Sequence, residues 1–244
     1  MPTITVNDTP IECSLVLFDL DGTLVDKDQR NRSLAEARMN AVRRLAGEEA
    51  AQLWATLSGV DASTLAVDAR GPLSKAPRKE DIVVAAAAIW LGRVDWFRAK
   101  ELAAEAYAQA DAQQSTKYRP ALVPGAEAAL RALRGAGLRL GVATNGSGRT
   151  AREIMRAIGV EALFDVFAGA DEVAEGKPAP DMLLAACGRL GVPPSEAVYV
   201  GDEVVDAAAG RAAGLREVVA VNPEGDASRY TRLVVDSVAS IRAG

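Results

Sequence analysis

The sequence predicts an α/β protein in three layers, a mostly parallel sheet wrapped by helices, with an all-helical segment inserted after the first strand. Three observations carry this reading. Short apolar runs that end in turn residues occur at Leu15 to Phe18, Leu138 to Ala143 and Ala197 to Val200. From Pro120 onward such runs alternate with helical periodicity, the pattern of parallel strands joined by helices. Between about Asp26 and Pro120 no strand-like alternation interrupts the helical period.

Leu15 to Phe18 is apolar at every position, as a strand buried on both faces requires. From about Asp26 the period becomes helical. Ser33 with Glu36 reads as a capping box, and Leu34, Ala37, Ala41, Val42 and Leu45 recur at helical spacing before Gly47. A second helix is expected over Glu48 to Leu57. After the looser segment Ser58 to Lys79, helices are expected over Glu80 to Leu91 and Asp95 to Asp111. Helix and strand then alternate: Pro124 to Arg134 helical, Leu138 to Thr144 a strand, Gly148 to Ile158 helical with Gly159 as its stop, Asp165 to Ala168 a strand. Pro180 to Leu190 is helical, Ala197 to Val200 a strand, Val204 to Ala213 helical and Val218 to Val221 a strand. The expected organisation is a core of residues 1–26 and 120–244, with a helical domain at 27–119, a usual size for a small domain.

The 244 residues are 49% hydrophobic, ample for a sizeable core, and the net charge of −5 with interspersed Lys and Arg leaves no basic stripe for nucleic acid. There is no histidine. Ser-His-Asp and Cys-His nucleophilic devices, histidine phosphate carriers and imidazole zinc sites are thereby excluded, and proton transfer falls to carboxylates, lysine or tyrosine. Cys13 and Cys187 are far apart and outside metal spacing, which reads as reduced packing thiols. Met1 to Pro10 lacks the features of a secretory signal, and the longest apolar stretch, Ile82 to Leu91, is short of the ~20 residues of a membrane span. A soluble cytoplasmic protein, monomeric or homodimeric and without membrane partners, is expected.

Asp19-Leu20-Asp21-Gly22-Thr23 follows the first strand directly. Two carboxylates one residue apart at a buried strand exit repel each other and lose hydration, so a divalent cation with hard oxygen ligands is expected beside them. An Asp beside such a cation is a competent nucleophile toward phosphorus. An acidic turn capping a helix is the plain alternative. Thr144-Asn145-Gly146-Ser147, Gly176-Lys177-Pro178-Ala179-Pro180 and Gly201-Asp202-Glu203 likewise adjoin strand ends or a helix start. Singly these read as a turn, a solvated cation and a cap for the helix near Val204. In a parallel sheet the carboxyl ends of the strands converge on one crevice, so all four segments are expected to meet.

Together, in order and over essentially the whole chain, these segments resemble the haloacid dehalogenase superfamily, in its phosphatase branch with an inserted helical cap. Phosphoglycolate phosphatase and β-phosphoglucomutase-like members look closest. The resemblance implies a Rossmann-like core and a Mg²⁺-dependent phosphomonoesterase acting on a small phosphorylated metabolite. It implies that Asp19 forms an aspartyl phosphate while Asp21 protonates the leaving oxygen. Mg²⁺ would be held by Asp19, the main-chain carbonyl of Asp21 and Asp202. Thr144, Lys177 and the amides of Leu20, Asp21 and Asn145 would bind the phosphoryl group. Asp206 would orient Lys177 or a metal-bound water, or be an ordinary polar residue near a helix start; Glu203 is either near the metal or solvated.

Substrate choice is expected in the cap, with Arg70, Lys75, Arg78 and Lys79 either gripping an anionic tail or forming a solvated basic loop. Trp90 and Trp96 are expected to pack inside the insert, and hinges are expected near Val25 to Asp28 and Tyr118 to Ala121. Asp21 argues against a dehalogenase, and the missing histidine argues against a hexose-phosphate mutase of this look. No cap lysine is marked as desolvated, which argues against phosphonate cleavage. Two alternatives are a catalytically silent phospholigand-binding member and a β-phosphoglucomutase-like phosphotransferase. Asp21 weighs against the silent reading, because holding a ligand needs no proton-transfer group there.

Overall fold

The computed structural model describes residues 1–76, 78–117, 119–224 and 226–244. The chain separates into two compact units, Met1–Asp26 with Pro120–Gly244, and Lys27–Arg119. In the first unit, β1 (Thr3–Val6) and β2 (Thr9–Glu12) form an antiparallel hairpin to which the last strand, β9 (Arg242–Ala243), also pairs. The main sheet holds β3 (Leu15–Phe18), β4 (Arg139–Thr144), β5 (Val166–Gly169), β6 (Ala197–Glu203), β7 (Glu217–Glu224) and β8 (Leu233–Val235). Its order is β5-β4-β3-β6-β7-β8, parallel throughout.

The alternation of side chains along each strand builds two cores, one on each face of this sheet. Val16 and Phe18 of β3, with Leu140, Val142, Val198 and Val200, pack against Leu130 and Leu133 of α6 (Ala126–Gly135) and Ile154 and Met155 of α7 (Gly148–Ile158). Leu15, Leu17 and Tyr199 face the other way, onto Met182, Leu183 and Ala186 of α8 (Asp181–Leu190) and Ala209 of α9 (Val204–Ala212). These are the three layers expected from the alternating pattern. β3 pairs on both edges, Leu15 opposite both Arg139 and Ala197 and Phe18 opposite both Val142 and Val200.

The second unit is helical: α1 (Lys27–Ala46), α2 (Glu48–Ser58), α3 (Pro72–Lys75), α4 (Arg78–Leu91) and α5 (Trp96–Lys117). Its core is rich in alanine around two large buried side chains, Trp54 and Tyr107. A polar network crosses it. The Trp54 indole N–H donates to the Tyr107 hydroxyl at 3.0 Å, that hydroxyl donates to Asp81 Oδ1 at 2.7 Å, and Arg38 pairs with Asp81. The Arg38 guanidinium also stacks 4.6 Å above the Tyr107 ring.

Several expectations are corrected. Ser33 lies inside α1 rather than capping it, because the polar residues Lys27 to Arg32 form its first turns despite offering no apolar stripe. Trp90 and Trp96 are 53% and 37% exposed. The buried face of α4 is Asp81, Ala85, Ala86, Ala88 and Ile89, which turns the next residue outward. The helix expected from Pro180 begins at Asp181 with Pro180 as its N-cap. At the expected hinges, the Asp26 N–H meets the Ala121 carbonyl at 3.4 Å and Val25 bridges Leu122; Tyr118 lies outside the described residues.

Candidate active site

Asp19 is the residue after β3, and its N–H continues the ladder to the Val200 carbonyl at 2.8 Å. The chain then folds back in a tight turn, with the Leu24 and Val25 amides donating to Leu20 O at 3.0 and 2.9 Å. Gly22 makes the bend at φ 85°, in the left-handed region. A Cβ there would stand 2.2 Å from Asp202 Oδ2, so glycine is what admits the β6 carboxylate to the turn. Thr23 is fully buried, and its hydroxyl donates to Asp202 Oδ1 at 3.2 Å.

β6 delivers the second acidic group. The cap of α9 is Glu203 rather than Asp202: the Glu203 side chain accepts from the helix, and the Glu203 N–H donates to Asp206 Oδ2 at 2.8 Å. Asp206, 1% exposed, uses its other oxygen for Lys177. Asp206 thus contacts Lys177 with one oxygen and the start of α9 with the other. A Cβ on Gly201 would fall 2.5 Å from three Asp206 atoms, which explains the glycine before Asp202.

Lys177 is gripped twice. The Asn145 side chain clamps its peptide, Oδ1 accepting from Lys177 N–H at 2.7 Å and Nδ2 donating to Lys177 O at 3.2 Å. The Asn145 carboxamide is thus committed to the scaffold. The Lys177 ammonium donates to Asp19 Oδ1 and Asp206 Oδ1, both at 2.6 Å, and to the Tyr199 hydroxyl at 2.9 Å. Thr144, 3% exposed, accepts the Gly146 N–H at 3.1 Å, which leaves its own proton to offer. The Leu20 amide is directed at the Asp19 carboxyl. Asp21, half-buried, sits in the same turn. Sequence reasoning gave no role to Tyr199, although a tyrosine between Val198 and Val200 in a buried strand signals a partner for its hydroxyl.

The electrostatics favour a cation. Asp19, Asp202 and Asp206 are all buried, and one oxygen from each lies within 4.8 Å of the others. Lys177 sets one positive charge against these three carboxylates. Burial pushes the Asp19 carboxyl up to about 6; Lys177 pulls it down and Asp206 pushes it up. Burial works to lower the Lys177 pKa, yet Asp19 and Asp206 outweigh it and hold the ammonium well above its usual range. The donors are hard carboxylate oxygens, which suit Mg²⁺. Both Asp206 oxygens are engaged, one by Lys177 and one by the start of α9.

In the helical unit the cations singled out in the sequence are partly engaged. Arg78 makes two contacts to Asp111 at 3.0 and 2.5 Å, and Arg70 lies 3.4 Å from Asp68. Both cysteines are free and buried, and burial pushes each thiol up to about 11. No helix among the described residues is long and apolar enough to cross a membrane.

The chain is 31% identical over 242 residues to a plasmid phosphoglycolate phosphatase of Cupriavidus necator, covering 96% of this chain and 93% of the other. It is 34% identical over 221 residues to a phosphoglycolate phosphatase of Rhodospirillum rubrum, covering 84% and 78%. A crystal structure of a predicted phosphoglycolate phosphatase from Haemophilus somnus superposes with a TM-score of 0.69 at 22% identity, covering 93% of this chain and 95% of that one, a likeness of fold. Residues 13–214, which span every segment of the carboxylate site, match the model of the haloacid dehalogenase-like hydrolases, and the chain belongs to that family.

Proposed function

We propose that this phosphatase hydrolyses a small phosphorylated acid or sugar, of which phosphoglycolate is the first candidate, with Asp19 as nucleophile and Mg²⁺ as cofactor. The observation that carries this is the meeting of Asp19, Asp202, Asp206 and Lys177, from three distant segments, at the carboxyl ends of β3 and β6. Asp19 Oδ1 accepts the Lys177 ammonium, which holds the carboxylate in one orientation and leaves Oδ2 to attack phosphorus in line. Asp21 donates a proton to the leaving oxygen and then takes one from the water that hydrolyses the aspartyl phosphate. Thr144 and the amides of Leu20, Asp21 and Asn145 donate to the phosphoryl oxygens, and Lys177 adds its charge. Asp19, Asp202 and the main-chain carbonyl of Asp21 would hold Mg²⁺, which supplies charge to offset repulsion between the phosphate and its carboxylate attacker.

The helical unit has the place in the chain of a cap, and we assign substrate selection to it. The test is phosphate release from a panel of phosphorylated acids, sugars and nucleotides, with and without Mg²⁺. Asp19→Asn keeps shape and removes the nucleophile, so metal-dependent turnover is expected to fall by at least about 10⁴-fold with the fold intact. Near-normal turnover by that variant would remove Asp19 from its role.

A further inference from the structure

The Lys177 ammonium has three N–H groups, and each has a separate acceptor: Asp19 Oδ1, Asp206 Oδ1 and the hydroxyl of Tyr199. The first two belong to the carboxylate site. Tyr199 does not. It sits on β6 three residues before Asp202, fully buried, with its ring in the core that faces α8 and α9. Its hydroxyl lies 2.8 Å from the Ala143 carbonyl and 3.3 Å from Asp206 Oδ1. A hydroxyl has one proton and two lone pairs. The shorter contact, to Ala143 O, takes the proton, which turns a lone pair toward Lys177. Ala143 precedes Thr144 on β4, so the hydroxyl links the ammonium to the strand that carries a proposed phosphoryl donor.

We propose that Tyr199 is a positioning residue of the active site: its hydroxyl, aimed by the Ala143 carbonyl, holds the third N–H of Lys177 and so fixes where the ammonium charge falls. A buried ammonium with two acceptors on one side can swing about its last side-chain bonds, whereas three fixed acceptors leave it a single orientation. The charge is then in place before the phosphoryl group arrives, and no reorganisation is needed at the moment of reaction. Tyr199→Phe is a clean perturbation, because the ring and its packing stay and only the hydroxyl is lost. The proposal deepens the phosphatase reading and rests on it.

The experiment has a spectroscopic and a kinetic arm, both with Mg²⁺ present. The chain has six lysines, so lysine-selective ¹⁵N labelling gives a readable set of ammonium signals, with Lys177→Met assigning the one of interest. In Tyr199→Phe the Lys177 signal is expected to shift and its protons to exchange faster with water. On the best substrate of the panel, kcat is expected to fall about tenfold, the size of effect of losing one hydrogen bond to a charged group, with KM changed less than about threefold. An unmoved Lys177 signal overturns the proposal, even where thermal stability drops. So does an unchanged kcat beside a moved signal, because the bond then exists without setting the reaction. Should Tyr199→Phe fail to fold, the unsubstituted chain grown on 3-fluorotyrosine carries a weaker acceptor at its four tyrosines. The Lys177 signal must then move, and a fixed signal overturns the proposal. Failure of the underlying reading shows separately, as no Mg²⁺-dependent phosphate release from the unsubstituted chain, and removes the proposal with it.

Discussion

Gly22→Ala tests the most crowded approach in the site. Alanine at φ 85° costs about 1–2 kcal/mol for the left-handed backbone alone. Its Cβ would also stand 2.2, 2.6 and 3.0 Å from Oδ2, Cγ and Oδ1 of Asp202, so the carboxylate must retreat by about 1 Å to reach ordinary contact. That movement breaks the 3.2 Å bond from Thr23, worth about 1 kcal/mol more. The expected total is roughly 2–3 kcal/mol, read by urea denaturation followed by circular dichroism. Because the displaced group is a proposed metal ligand, the Mg²⁺ concentration for half-maximal phosphate release should rise about 10–100-fold. A variant within about 0.5 kcal/mol of the unsubstituted chain, and with the same Mg²⁺ requirement, would show that Asp202 need not lie against the turn.

Asp81→Ala in the helical unit leaves Arg38 buried without its carboxylate and the Tyr107 hydroxyl with only the main-chain carbonyl of residue 81, at 3.2 Å, to donate to. A loss of about 3–5 kcal/mol is expected in denaturant unfolding, and a loss under about 1 kcal/mol would show that the network contributes little. Cys13 and Cys187, with thiols pushed by burial up to about 11, hold about 100-fold less thiolate at pH 8 than an ordinary thiol at 9.0. Both should react with a disulfide reagent at least that much more slowly in the native chain than in denaturant, with the native rate rising as pH rises; equal rates would contradict their burial.

The strands of the main sheet that frame the site were legible because β3, β4 and β6 are short apolar runs with turn residues at their ends. α7 was read at both ends, since Ser147 caps it and Gly159 stops it in the left-handed conformation. The β1–β2 hairpin was not read. Its signal is present: Ile4, Val6 and Ile11 are buried around Asn7-Asp8, and both turn residues have positive φ, 47° and 60°, as a mirror-image hairpin turn requires. Four-residue strands carry too little alternation to stand out. In the site, the carboxylates and Lys177 could be named because charge at a strand end is costly without a partner. Tyr199, the Asn145 clamp and the Thr23 bond to Asp202 could not, since each depends on which distant side chain arrives opposite. The exposure of Trp90 and Trp96 was not legible from residue type, since size and apolarity favour burial while the face of the helix a side chain occupies decides it.

The place where the insert leaves and rejoins the core has a consequence for how such chains can be built. The Asp26 amide and the Ala121 carbonyl touch, so ninety-odd residues depart from and return to virtually the same point. For the sheet, the excursion is a loop whose ends are already joined, and lengthening such a loop costs only about 0.6 kcal/mol per doubling. One helical module can therefore be exchanged for another, or trimmed to a few residues, with little effect on the strands of the sheet. The carboxylates and their lysine, all carried by the first unit, keep their positions through such an exchange.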